Sequence, residues 1–147
     1  MHKNRVYIAL TVSAIAQPIS PNSDDLALIR NLFETVANTQ DPVVAKINIA
    51  AIAEQYGLSQ AEVSTLQSLA QRFGAAQQNL RLEAAGANYG GLGVDRARVV
   101  AANAVFDQQL TSFASELLSA IRPGTALNVR KTAKIIGDAI RKSQGAK

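Results

Sequence analysis

Of the residues that ordinarily carry chemistry, this chain has no cysteine and a single histidine, His2. The missing Cys removes thiolate nucleophiles, disulfides and thiolate-ligated zinc or iron–sulfur sites together. His2 lies in a segment built like a secretory signal peptide. MHKNR is a cationic start, VYIALTVSAIA an apolar run, and Ala14 and Ala16 are the small residues of an A-x-A cleavage site. The apolar run, about eleven residues, is well short of the roughly twenty that a membrane span needs. Residues 1–16 therefore read as a cleaved signal, with a mature chain from Gln17 and a periplasmic or secreted location. Such a mature chain has neither His nor Cys, which excludes Ser–His and Cys–His pairs, imidazole metal sites and the usual pH switch. Carboxylates, hydroxyls, Lys and Arg remain, and no pair of them has a spacing that demands catalysis. The expectation is a protein that is not an enzyme, with no cofactor and no metal.

The remaining candidates have simpler explanations. Asp24 and Asp25 are adjacent, and adjacent residues on a helix point about 100° apart, so a shared metal is disfavoured and a role in a helix's first turn preferred. GANYGGLGVD, residues 86–95, is glycine-rich before a helix, as a phosphate cradle would be. No strand pattern precedes it and no Gly-Lys-Ser/Thr ends it, so it reads as a helix connection, with Tyr89 and Leu92 available for contact at its tip. The basic residues are unevenly distributed. From Gln17 to Ile121 there are six Lys or Arg against ten Asp or Glu; from Arg122 to Lys147 there are seven against one, so the mature chain carries +2. Arg130, Lys131, Lys134, Arg141 and Lys142 gather on one helical segment and, with Tyr89, are the candidate partner-binding residues.

Positioning these residues requires helices, and the chain supplies the signals for about five. Residues 17–22 read as an extended leader holding Pro18 and Pro21. A first helix, Asp24 to Asn38, has Ser23 as expected cap and an apolar face of Leu26, Ile29, Leu32, Phe33 and Val36. Asp41 and Pro42 start a second, VVAKINIAAIAEQY, which Gly57 is placed to end. That helix is apolar around most of its circumference, and it is expected to be the most buried.

Ser59 and Glu62 form a capping box that opens a third helix to Ala85, with Leu66, Leu69, Phe73, Ala76 and Leu80 in one stripe and Gly74 at a close helix contact or a bend. A fourth, Asp95 to Ile121, carries Val99, Ala102, Phe106, Leu110, Phe113, Leu117 and Ala120. The third and fourth match in length, which predicts a long antiparallel hairpin. Arg122, Pro123 and Gly124 stop the fourth; Thr125 is the expected cap of the last helix, which runs to Ser143 with Val129, Ala133, Ile136 and Ile140 as its apolar face. The expected architecture is one all-α domain over residues 23–143, a bundle of about five helices, with residues 144–147 as a flexible tail.

At GLSQAEVSTLQSLAQRF the chain resembles the Spy/CpxP family of periplasmic helical proteins, whose hallmark is an LTxxQ motif opening a long helix; Leu58, Ser59 and Glu62 stand at the motif positions. The resemblance implies a homodimeric cradle of long helices that binds unfolded clients, or a sensor domain of the cell envelope, without ATP. The expected partner is thus a protein or an unfolded client. An anionic membrane surface, reached through the basic last helix, is the alternative. Nucleic acid is disfavoured, because few aromatics are present to stack bases.

Overall fold

The structure, a computed structural model, describes residues 19–87 and 95–145. The signal-like segment with His2, Tyr89 and Leu92 of the glycine-rich connection, and the last two residues lie outside the described residues. Among the described residues there are five helices and no strand: α1 (Ser23–Ala37), α2 (Pro42–Tyr56), α3 (Gln60–Ala87), α4 (Arg96–Ala120) and α5 (Pro123–Gln144). The all-α bundle read from the sequence is the fold.

The helix starts follow the local chemistry, with two shifts. α1 is capped by Asn22, not Ser23: the Asn22 side chain accepts from the Asp25 N–H, and the Asp25 carboxylate accepts from the Asn22 N–H. The acid three residues after Asn22 completes a capping box that Ser23 has no equivalent residue to form. α5 begins at Pro123 and has no side-chain cap, so Thr125 does not serve as one. Proline at the first helical position needs no N–H partner, and Thr125 is buried within the helix. Elsewhere the signals hold. Asp41 accepts from the Val43 N–H at 2.9 Å, and Gly57 ends α2 in the left-handed conformation. Ser59 and Glu62 make both halves of their box.

Phe33 of α1, Phe73 of α3 and Phe106 of α4 meet at the centre, each consecutive pair of ring centroids 5.6 Å apart and tilted. Leu66, Leu69, Ala70, Leu110, Phe113, Leu117 and Leu118 extend this core along α3 and α4. Three ion pairs cross between these helices and the start of α5: Glu83 with Arg98, Arg72 with Glu116, and Glu62 with Arg122. Residue numbers fall on one side as they rise on the other, so α3 and α4 run antiparallel. Arg72 also lies over the Phe113 ring, 4.9 Å from its centroid. Gly74 sits against α1, where an added Cβ would meet the Ala37 Cβ at an ordinary 3.5 Å. Ile19 docks the leader on α4, donating its N–H to Ser119 and accepting from Ser115.

α2 departs most from expectation. It is not the most buried helix: only Ile52 and Tyr56 are buried, while Val43 is 67% and Ile47 62% exposed. The aromatic centre is already closed by α1, α3 and α4. α2 lies outside it against α1 and the start of α5, and contacts on one side leave its opposite face open.

Candidate functional site

The basic segment forms most of α5, and α5 is held to α1 by carboxylates that belong to the first turn of α1. Arg130 donates through Nε to Asp25 Oδ2 at 3.1 Å. Arg141 donates two bonds to Asp24, at 2.8 and 3.1 Å, and a third to Asp138. Lys134 reaches Asp138 at 2.9 Å. The Arg141 hydrogen bonds hold the Asp24 carboxyl below its ordinary range against a smaller effect of burial, and Lys134 and Arg141 do the same for Asp138. The cationic face is therefore largely neutralised within the molecule. Of the expected partner-binding residues, Arg130, Lys134 and Arg141 are engaged internally. Lys131 and Lys142 are exposed and make no ion pair among the described residues.

The two aspartates do more than favour a helix dipole. Asp25 is 1% exposed, and its Oδ2 serves both the Asn22 cap and Arg130 while its Oδ1 has no hydrogen-bond partner. The Asp24 carboxylate rests against Gly137 of α5, where an added Cβ would overlap it and force the carboxylate to shift.

Along this crossing α5 leaves the packed core. Its apolar stripe is buried at Val129 and Ala133 but not afterwards: Ile136 is 42% and Ile140 49% exposed. Both line an open cleft of about 440 Å³, whose other wall is Ala27, Leu28 and Asn31 of α1 and whose end is closed by the Asp24–Arg141 pair. Reading the sequence placed Ile136 and Ile140 on the apolar face of the last helix with Val129 and Ala133, and left the α1 wall unnoticed. Helical spacing reports which side chains share a face, and it carries no information on how closely the opposing helix approaches. A second hollow, about 250 Å³, lies between α3 and α4 beside the Glu83–Arg98 pair and is lined by Leu80, Ala102, Val105 and Phe106.

Among the described residues no three His, Cys, Asp or Glu come together to hold a metal, and no helix is long and apolar enough to cross a membrane. Comparison with family models, curated proteins and solved structures finds no match to the chain.

Proposed function

We propose that this is a protein-binding protein of the periplasm or the secreted space, not an enzyme, acting as an ATP-independent chaperone or envelope adaptor through the cleft between α1 and α5. The observation that carries the reading is the half-exposed pair Ile136 and Ile140 beside Leu28 in a 440 Å³ apolar groove. A groove with apolar walls and a polar end takes up apolar side chains of an extended or helical segment, and leaving it open to water has a cost that an occupant relieves. Compartment and class rest on the signal-like N-terminus, the absence of Cys, and the Spy/CpxP-like helix start at Leu58, Ser59 and Glu62. The membrane-surface alternative is weaker, because half or more of the basic side chains it would use are already paired with Asp24, Asp25 and Asp138.

The test is aggregation of a chemically denatured client with protein purified from cells that express the full chain, N-terminal sequencing establishing whether it starts at Gln17. Suppression at near-stoichiometric ratio is expected, with Ile140→Lys losing most of it while keeping the wild-type circular dichroism. A folded protein that neither slows aggregation nor crosslinks to an envelope protein in its host would end this reading.

A further inference from the structure

The open face of α2 has the composition and the charge arrangement of a surface that pairs with itself. Val43, Ile47, Ala50 and Glu54 follow one another at spacings of four, three and four, and all are exposed. This is the narrow stripe along which two helices pack at a shallow angle. Ala50 stands near its middle, small enough to let two backbones approach. Lys46 lies one turn before Ala50 and Glu54 one turn after it. Both are exposed, and neither forms an ion pair or hydrogen bond among the described residues.

In an antiparallel pair of identical helices crossing at Ala50, residue numbers on opposite sides keep a constant sum. Lys46 of each copy then faces Glu54 of the other, so one charge pair is made twice, which is the signature of a two-fold interface. A parallel pairing would set Lys46 against Lys46 and Glu54 against Glu54. We propose that α2 is the homodimer interface of this protein, with two copies packed antiparallel about Ala50, Ile47 of each set over Ala50 and Glu54 of the other, and tied by reciprocal Lys46–Glu54 pairs. The surface shares no residue with the cleft between α1 and α5, so dimer formation and client binding succeed or fail separately. A single pair of helices, each 15 residues long, covers less than the about 800 Å² per partner of a standard interface, so the expected dimer is a weak one.

The experiment is sedimentation equilibrium of the protein purified from cells expressing the full chain, over a concentration series reaching about 500 μM. A concentration-dependent dimer is expected. Ile47→Glu should weaken it at least about tenfold, and Lys46→Glu and Glu54→Lys about tenfold each, with melting of the monomer unchanged because none of these side chains is buried. The double exchange Lys46→Glu with Glu54→Lys should restore the wild-type affinity, a rescue that only mutual facing explains. Because the chain has no other cysteine, Ala50→Cys should also oxidise to a disulfide-linked dimer. A monomer throughout the series, a dimer indifferent to Ile47→Glu, or failure of the double exchange to restore what the single ones lose would overturn the proposal.

Discussion

Two helix starts in this protein use the same device and end in different surroundings. At the start of α3, Glu62 completes the Ser59 capping box and also receives Arg122, whose backbone N–H donates at 2.7 Å and whose guanidinium donates at 2.9 and 3.2 Å. Arg122 further donates to the Gly57 carbonyl, so one arginine joins the end of α2, the start of α3 and the junction of α4 with α5. At the start of α1, Asp25 completes the Asn22 box and receives Arg130. Both are first-turn carboxylates, nearly buried, each answered by an arginine from the last part of the chain.

The surroundings differ. Behind Glu62, Leu32, Ile52, Tyr56, Leu66, Ile121 and Val129 close with only about 10 Å³ of free space between them. Beside Asp24 and Asp25 the cleft stays open at about 440 Å³. A charged clasp over a filled core locks elements together, whereas the same clasp at the rim of an open groove orients a helix and leaves apolar surface for another molecule. The α3 start is scaffold, and the crossing of α1 with α5 is surface.

That contrast makes graded expectations. Glu62→Ala should cost the most, about 2–4 kcal/mol by denaturant unfolding at pH 7, because the N–H groups of Ser59 and Arg122 lose their acceptor at once. A loss no larger than that of an ordinary surface change would break the contrast. The acid limb of stability sharpens it. Hydrogen bonds from Arg122 hold Glu62 down to about 2 from an ordinary 4.5, chiefly against burial, which acts the other way. A carboxyl depressed on folding stabilises fully above its unfolded value, so this contribution should be complete above about pH 4.5 and disappear as pH falls toward 2. Glu62→Gln keeps the capping geometry and should flatten that limb in melting temperature against pH.

Asp25→Asn should cost less, about 1–2 kcal/mol, since the amide oxygen can still accept from Asn22 and Arg130 while the new NH₂ falls where Oδ1 has no partner. The smallest effect belongs to Ile140→Lys, expected within about 0.5 kcal/mol of wild type although, on the proposed function, it should lose most of the client binding. A loss of 2–5 kcal/mol there would mean that Ile140 is a core residue and that the cleft is closed in solution.

The limits of sequence reading show at particular residues. The Ser59–Glu62 box, the Asp41 and Gly57 caps of α2, and the stripes of α3 and α4 were legible because capping and periodicity act within a few residues of chain. The Asn22 cap was missed by one residue, since Asn and Ser both favour that position and the decision lay in which had an acid three places on. The candidate site was legible only as a list of cations. That Arg130 and Arg141 are answered by Asp25 and Asp24, more than a hundred residues away, follows from how α5 crosses α1.

What the sequence determined by itself is the set of helices and the face each one offers, because hydrogen bonding to near neighbours and side-chain spacing are local properties. What only the tertiary structure decided is which apolar faces find cover. Val129 and Ile140 belong to one stripe on α5, yet one is buried and the other half exposed; α2, apolar around most of its circumference, buries Ile52 and leaves Ile47 in water. Burial depends on how closely the neighbouring helices approach each stretch, and that is a property of the assembled bundle, not of any stretch of chain.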